Sequence, residues 1–383
     1  MSKHLMFIGD PGKNAKHLLA VLRNVGLAAK RLENADDLTD KLSEEPPAAI
    51  LFDAATENLQ DAISSLRSHR TLASLPILLR VKEPAPEFLI EAFKWGVDDF
   101  FVEGAVDHFM ALVSAIEKQD TWETVRAPAG QVILAHPDRL ERAKFGRILK
   151  RNGFDTYFAG SSDELESAIR TQNARSIIVS DRIPKDPLSV LNKIAEELTD
   201  LPPFVVVANP EALESVKQKV SDSINATFFE DGSDAEGITF LLNELLAPPP
   251  LGKRRSPRVL YGTPVAFVHK GGKQTTMGFT FNINHGGIYI RTLASLPLQT
   301  EIEIRFRPPF GRGEVFADAQ VVWRKQLGDS AGAASPPGMG VQFLHLWTAD
   351  LAAFEAGYSE LLEQAQSISS IPESPSRVDP GDC

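Results

Sequence analysis

The sequence predicts a multidomain protein, with two doubly wound α/β domains followed by a six-stranded antiparallel β-barrel and a C-terminal helix. Two observations lead to this fold class. In residues 1–250, short apolar runs alternate with amphipathic helical stretches, which is typical of parallel sheets covered by helices on both faces. In residues 265–343, apolar and polar residues alternate in short segments separated by Gly and Pro, which indicates a small barrel.

The α/β part is a duplication of one unit of about 115 residues, the usual size of one doubly wound domain. Residues 5–8 and 132–135 are the first apolar strand of each copy. In both copies a helical stretch then ends at a Gly. An acidic residue follows 94 positions after the residue that comes one place beyond the first strand. The matched positions are Gly9, Gly26 and Glu103 in the first copy and His136, Gly153 and Glu230 in the second. Agreement over such long spacings predicts an internal repeat.

We expect four segments along the chain. The first α/β domain covers residues 1–120, the second covers 130–247, and the barrel with its helix covers 251–365. A Pro-rich linker precedes the barrel, and the Ser-, Pro- and Asp-rich residues 366–383 predict a disordered tail. The expected barrel strands are residues 265–268, 277–283, 288–290, 301–306, 317–323 and 340–343, with the helix at 348–364.

Composition and charge restrict the class of protein. The net charge is −11, yet residues 1–250 hold 27 basic and 39 acidic side chains while residues 251–365 hold 12 and 9. The acidic part argues against nucleic-acid binding, and the mildly basic part suits a small anionic ligand. Cys383 is the only cysteine, and we identify no signal peptide and no membrane-spanning stretch. We therefore expect a cytoplasmic protein.

Two short motifs in the barrel region belong together. Residues 253–258 form a basic segment, in which Arg254 and Arg258 are four residues apart. Roughly 25 residues later, Asn282 begins the segment Asn-Ile-Asn-His-Gly-Gly on an expected hairpin. An Arg-x-x-x-Arg arm followed by an Asp/Asn-x-Ser-x-x-Gly turn resembles the PilZ domain, a bacterial receptor module for cyclic di-GMP. Taken singly, the arm fits a solvated basic stretch and the turn fits a plain hairpin.

The resemblance implies which residues would bind cyclic di-GMP. Guanidinium groups can bond phosphate or guanine in bidentate fashion and can stack on a base. In the turn, an amide would bond a guanine edge or fix the turn, and a Gly would permit close approach or an unusual backbone angle. The implied residues are Arg254, Arg255, Arg258, Asn282, Asn284 and Gly287. Asn284 departs from the family, which has Ser there, and its amide is bulkier than a hydroxyl.

Each α/β copy resembles the receiver domain of response regulators, a flavodoxin-like fold. That family needs an acidic pair for Mg²⁺, an Asp that takes the phosphoryl group, a Thr or Ser, and a Lys that offsets the transferred charge. In the first copy Asp53 stands at the acceptor position, and Gly9-Asp10 supplies one carboxylate of the pair. Val81 replaces the hydroxyl residue and Glu103 replaces the Lys, so the charge at that position is reversed.

The second copy departs further from the receiver pattern. Asp181 is its acceptor-like residue, and Asp138 falls one place after the acidic pair. The replaced positions are His136 and Pro137 at the acidic pair, Ala208 at the hydroxyl and Glu230 at the Lys. We interpret Asp53 and Asp181 as vestigial phosphoacceptor positions, and the alternative is a live acceptor at Asp53. Both copies would then serve for docking, with Trp95 either an exposed contact or a core residue.

These features predict a non-enzymatic bacterial signalling adaptor, a PilZ-type cyclic di-GMP effector that acts through protein contacts. We identify no catalytic constellation, metal site or cofactor in the sequence. The resemblance implies an effect on motility, cell polarity or exopolysaccharide, with bacterial signalling or motility proteins bound by the receiver-like domains. Such a protein would be recruited to a cell pole or to membrane-associated machinery. The alternatives are a ligand-independent PilZ-like scaffold and a phosphorelay output through Asp53.

Overall fold

The structure is a computed structural model. It describes residues 4–8, 20, 22, 28–32, 42, 46–69, 72, 75–118, 130–198, 201–221, 224–231, 235–246, 256–327, 329 and 335–368. One compact unit holds the first sheet together with the barrel, and a second unit holds the second sheet. Within the described part of the chain, no helix is both long and apolar enough to cross a membrane. Most of the expected helix at residues 13–24, the linker before the barrel and most of the predicted tail lie outside the described residues.

The first sheet has five parallel strands in the order β2-β1-β3-β4-β5. They are β1 (His4–Ile8), β2 (Ala28–Leu32), β3 (Ala49–Asp53), β4 (Ile77–Val81) and β5 (Asp99–Val102). The described helices of this domain are α1 (Leu59–Ser68), α2 (Pro86–Trp95) and α3 (Val106–Glu117). The strand order 2-1-3-4-5 is that of flavodoxin-like doubly wound folds, so this part of the predicted fold class is confirmed.

The second sheet repeats the first. Its strands are β6 (Gly130–Ala135), β7 (Phe154–Ala159), β8 (Ala174–Ser180), β9 (Phe204–Ala208) and β10 (Ala226–Glu230), in the order β7-β6-β8-β9-β10. Its described helices are α4 (Arg139–Arg151), α5 (Ser162–Thr171), α6 (Pro187–Glu197), α7 (Leu213–Lys219) and α8 (Ala235–Leu246). Gly153 follows α4 with a φ of 90°, a conformation that favours glycine and ends the helix as the sequence predicts.

The backbone hydrogen bonds confirm that the two sheets share one register. The amide of Ile50 donates to the carbonyl of Pro76 at 2.8 Å, and the amide of Ile177 donates to the carbonyl of Pro203 at 3.1 Å. Both pairs sit at the same place in strands 3 and 4 of their sheet. Positions in the two copies can therefore be compared strand by strand.

The third sheet closes into a barrel. Its strands are β11 (Val259–Leu260), β12 (Pro264–His269), β13 (Thr275–Asn284), β14 (Gly287–Arg291), β15 (Glu301–Phe306), β16 (Val315–Lys325) and β17 (Gly338–Leu346). Six of them form the ring β13-β12-β15-β16-β17-β14, and β14 pairs back with β13. The short β11 adds to β13 beside this ring. The predicted six-stranded antiparallel barrel is confirmed.

The predicted C-terminal helix is present as α9 (Thr348–Ile368), which ends four residues later than expected and packs on the barrel. Phe354 is fully buried, and its ring centroid lies 5.4 Å from that of Phe343 and 6.2 Å from that of Phe306. At Gly357 a side-chain carbon would overlap the carbonyl oxygen of Pro309. The helix is therefore held close to the barrel by aromatic packing and by the absence of a side chain at one position.

The barrel covers the outer edge of the first sheet, where β5 has a neighbour on one side only. An uncovered strand edge presents unpaired backbone groups and invites aggregation. Phe279 of β13 joins the core between the sheet and α2, while Leu293, just after β14, joins the core on the α3 side. The barrel thus contacts the edge strand from both faces of the sheet.

We expect the substitution His108→Leu to stabilise the protein. His108 of α3 is buried, and neither ring nitrogen has a hydrogen-bond partner among the described residues. Burial lowers the pKa of His108 to about 4, below the 6.5 of an exposed imidazole. Stability is therefore lost as pH falls from about 6.5 to about 4, because the unfolded chain takes up the proton first. Over that range the loss amounts to roughly 3 kcal/mol.

Thermal unfolding measured between pH 4 and 7.5 checks this prediction. The midpoint of the Leu variant should exceed that of the wild type, and the gap should widen as pH falls. His269→Leu, at an exposed strand end, is the control and should show no such trend. A gap that stays constant with pH would contradict the assignment to His108.

A second pH dependence follows from Asp99. The carboxylate is fully buried, and burial raises its pKa to about 7 in spite of hydrogen bonds to it and the nearby Arg291. Because the folded-state pKa lies above the unfolded value of 3.8, stability is present in full below pH 4 and is lost as pH rises to about 7. Asp99→Asn should remove this loss, which is roughly 4 kcal/mol.

Denaturant unfolding from pH 4 to pH 8 measures the effect. The stability of the Asn variant should rise relative to the wild type across the range, whereas Asp107→Asn, at an exposed position on α3, should follow the wild type. Parallel curves for the wild type and Asp99→Asn would show that Asp99 does not titrate in this window.

Candidate ligand site

The described part of the basic arm lies beside the β13–β14 turn. Strand β11 pairs with the end of β13, with Val259 opposite Ile283 and Leu260 opposite Asn282. One step earlier in this antiparallel register, Arg258 comes opposite Asn284. Arg258 is exposed, while Arg254 and Arg255 fall outside the described residues. The pairing therefore holds the end of the arm against the strand that carries the turn motif.

Strand alternation separates the inward and outward side chains of the turn motif. Ile283 is fully buried in the barrel core, and its neighbours Asn282 and Asn284 are half-buried. Since successive side chains of a strand point to opposite faces, both amides share the face opposite to Ile283. Arg258, as the cross-strand neighbour of Asn284, shares that face. Three of the six expected ligand residues are thereby brought together on one surface.

The turn is closed by its own residues. Asn284 pairs with Gly287 in the ladder, and the side-chain oxygen of Asn284 accepts a hydrogen bond from the amide of Gly286 at 3.0 Å. At Gly287 a side-chain carbon would overlap the carbonyl oxygen of Val341 on β17. Gly287 is thus required for the close approach of β14 to β17, and its φ is not in the left-handed region.

Helix α9 contacts both the arm and the turn. The hydroxyl of Tyr358 donates to the carbonyl of Pro257 at 2.7 Å, and burial raises the pKa of Tyr358. Nε2 of His285 lies 3.1 Å from a carboxylate oxygen of Glu355. The hydroxyl oxygen of Ser256 accepts a hydrogen bond from the amide of His285 at 3.1 Å. Residues 256–258 are therefore bonded to the turn on one side and to α9 on the other.

Sequence reasoning missed these supporting residues. Ser256 lies within the basic segment but carries no charge, and it bonds to a turn 29 positions away. Tyr358 and Glu355 lie in the predicted C-terminal helix, but no pattern in the sequence indicates that either contacts the arm or the turn. No local pattern could have found these contacts, because each joins segments that the fold alone brings together.

In the first receiver-like copy, an arginine neutralises the acceptor-like carboxylate. Asp53, at the end of β3, forms an ion pair with Arg80 of β4, whose Nε lies 2.6 Å from Oδ2. Arg80 also lies 3.9 Å from Glu103, and the other oxygen of Asp53 accepts from the amide of Ala55 at 2.8 Å. The guanidinium supplies positive charge where a receiver would use a metal ion and a Lys.

The second copy has a different set of polar contacts. Ser180 pairs with Val207 as Asp53 pairs with Arg80, so Ser180 has the strand register of Asp53 and Asp181 follows one residue later. Burial raises the pKa of Asp181, and one of its carboxylate oxygens has no hydrogen-bond partner among the described residues.

In the second copy, residues at the acidic-pair position and the residue after it make structural contacts. Asp138 caps the N-terminus of α4 by accepting from the amides of Leu140 and Glu141, and these bonds lower its pKa. Arg182 lies 3.0 Å from Nε2 of His136 and pairs with Asp231. Across the described ranges, no group of three or more His, Cys, Asp or Glu residues is arranged to hold a metal ion.

Trp95, at the end of α2, is a half-buried core residue. Its ring packs edge-on against Phe88 with centroids 6.1 Å apart, and it lies against the first hydrophobic core. Of the two expectations for Trp95, an exposed contact residue or a core residue, the structure supports the core residue.

Comparison with known proteins agrees with this geometry. Residues 252–357 match the family model of the PilZ domain. No curated protein matches the sequence significantly. Among solved structures, a two-component response regulator/GGDEF domain protein is 13% identical, with 64% of this chain and 100% of that chain covered and a TM-score of 0.34.

Two further solved structures resemble single parts of the chain. The signal receiver domain of a histidine kinase from Syntrophus aciditrophicus is 19% identical over 31% of this chain and 96% of that chain, with a TM-score of 0.27. The PilZ domain of YcgR from Escherichia coli, solved with c-di-GMP, is 15% identical over 30% of this chain and 95% of that chain, with a TM-score of 0.23. From its family match and its closed barrel, we conclude that residues 252–357 of this chain are a PilZ domain, preceded by two receiver-like α/β sheets.

Proposed function

We propose that the protein is a non-enzymatic signalling adaptor whose PilZ domain binds cyclic di-GMP. The observation that carries the proposal is the pairing of β11 with β13, which brings the end of the basic arm beside the turn motif. Arg258, Asn282 and Asn284 share one face there. Such a face combines a guanidinium for phosphate or guanine with amides that can donate and accept hydrogen bonds.

The charge of the domain suits this ligand. Residues 251–365 carry more basic than acidic side chains, whereas the remainder of the chain is acidic. Cyclic di-GMP has two phosphates, and the arm contributes Arg254, Arg255 and Arg258 in a span of five residues. An arm that orders fully on binding would lose conformational entropy, which the arginine contacts must offset. The contacts of Ser256 and Pro257 with the turn and α9 reduce that loss.

In this proposal, the receiver-like sheets provide surfaces that bind other proteins, and they do not take part in phosphoryl transfer. The ion pair of Asp53 with Arg80 supports this role, because a carboxylate already paired with a guanidinium is a poor nucleophile and a poor metal ligand. The proposed targets are bacterial proteins that control motility, cell polarity or exopolysaccharide. Recruitment to a cell pole or to membrane-associated machinery would follow from binding those proteins.

A second candidate function is a ligand-independent scaffold. It is favoured by one feature of the turn, where the side-chain oxygen of Asn284 already bonds the amide of Gly286. It is favoured also by α9, whose Glu355 places a carboxylate against His285 at the turn. A negative charge at this place opposes an anionic ligand.

Titration calorimetry of the full chain with cyclic di-GMP tests the two candidates. We expect saturable heat with the wild type and a loss of at least about tenfold in affinity for Arg258→Ala, since hydrogen bonds to charged groups contribute about 1.5–3 kcal/mol. Arg254→Ala should behave in the same way.

The matched control is Arg305→Ala, an exposed arginine on β15 that lies 3.6 Å from Glu314. It should bind like the wild type, which would assign the loss to the arm and not to the net charge. Absence of heat with folded wild-type protein at tens of micromolar ligand would overturn the cyclic di-GMP proposal and leave the scaffold.

Removal of the carboxylate at the turn should tighten binding. The variant Glu355→Gln keeps the shape of the side chain and removes the negative charge 3.1 Å from His285. Because both groups are about half exposed, we expect a modest gain of roughly two- to fivefold in affinity, diminishing at high salt. Glu363→Gln, on the exposed side of the same helix, is the control. Equal affinities for the two variants would show that α9 does not oppose the ligand.

A further inference from the structure

We propose that ligand binding at the turn and docking of the barrel on the first receiver-like sheet are coupled through the β13–β14 hairpin, and that each strengthens the other. The inference rests on the proposed function of the turn as the cyclic di-GMP site. It adds a second functional surface, the outer edge of β5 together with α2, and it identifies the barrel of the same chain as the partner of that surface.

The docking contacts are specific and buried. The amide of Leu293 and the hydroxyl of Thr292 donate to the same oxygen of Asp99, at 2.7 and 3.0 Å. Arg291 donates to the carbonyl of Val97 at 3.0 Å, and its guanidinium lies 4.0 Å from the ring centroid of Phe93. A buried carboxylate and a buried guanidinium are costly unless such partners are present, so the contacts fix one arrangement of barrel and sheet.

The same hairpin carries the docking residues and the turn motif. Phe279 and Arg291 are opposite each other in the β13–β14 ladder, and we call this pair the docking rung. The ring centroid of Phe279 lies 5.0 Å from that of Phe93, so both members of the rung contact one side chain of α2. Asn284 and Gly287 form the last rung at the turn. The two ends of β14 are four residue intervals apart, which is about 14 Å along the strand.

The coupling is expected to be positive, because ligand binding and docking each restrain the conformation of the hairpin. A ligand gripped between the arm and the turn restrains one end of the hairpin, and docking restrains the other end. The ladder between them has a register shift between Thr280 and Asn282, a place where two-stranded pairing is locally interrupted. When one event has already ordered the hairpin, the second pays less conformational entropy, which gives positive coupling.

The second sheet provides an internal comparison. Leu78 pairs with Asp99 in the first sheet, and Val205 pairs with Thr227 at the same place in the second. The repeat therefore has a threonine where the first copy has the docking carboxylate. The fold does not need an acid at this strand position, so Asp99 is explained by its contact with the barrel.

Calorimetry of full-length variants tests the coupling. We expect Arg291→Ala and Asp99→Val to weaken cyclic di-GMP binding about fivefold or more, although neither residue lies at the turn. Thr227→Val, the equivalent position of the second sheet, is the matched control and should bind like the wild type.

Hydrogen exchange of the wild-type protein tests the reciprocal effect. Ligand should slow exchange of the Leu293 amide, which donates to Asp99 at the far end of the hairpin from the turn. If the wild type binds and Arg291→Ala and Asp99→Val bind equally well, the coupling is overturned and the proposed function stands. If the folded wild type does not bind, the proposed function fails, and the coupling fails with it.

Discussion

Strand β13 is the element on which the PilZ part of the structure depends. It pairs with β12 along its first half and with β11 and β14 along its second, so it closes the barrel and holds the arm. Its Phe279 also enters the core of the first receiver-like sheet. Because one strand satisfies all these requirements, its alternation of inward and outward residues is strongly constrained, and a shift by one residue would misplace the turn, the arm contact and the docking residue together.

The two receiver-like sheets share a feature at the carboxyl ends of their strands. In both copies an arginine lies beside an acid at the carboxyl edge of the sheet, Arg80 with Glu103 and Arg182 with Asp231. The strand register places Glu103 and Asp231 at matching positions, directly after β5 and β10, so the match of Glu103 with Glu230 expected from the sequence is wrong by one residue. In each sheet, an ion pair within the protein therefore lies at the carboxyl ends of the strands.

Much of the fold could be predicted from the sequence because its strands and helices produce local patterns of apolar residues and glycines. Apolar runs predicted β1 and β6, a glycine predicted the end of α4, and the matched spacings predicted the duplication. Strands β2 and β7 were missed because half or more of each is exposed, as befits an edge strand, so neither forms an apolar run. Strand β11 was missed because two residues carry no periodicity.

The residues of the candidate site also include some that the sequence predicts and some that it does not. The motif residues Asn282, Asn284 and Gly287 could be predicted because they lie close together in the sequence and match one short motif. Their supports, Ser256 and Tyr358, could not be found, since each acts through a segment that is distant in the chain. For Gly287 the sequence left two explanations open, and the carbonyl of Val341 favours close approach over an unusual backbone angle.

Asp99 shows why a buried charge is informative about function. Its strand neighbours Phe100 and Phe101 are fully buried, and an apolar residue at Asp99 would fit an ordinary edge strand. Replacing buried ionic groups by apolar residues is often neutral or stabilising, so such groups are weak evidence of selection for stability. Asp99 makes the contact between sheet and barrel directional, because its oxygen accepts hydrogen bonds from a specific backbone amide and a specific hydroxyl on the barrel. An apolar contact would tolerate sliding, whereas this contact permits one arrangement, and a coupling between ligand site and sheet requires an arrangement of that kind.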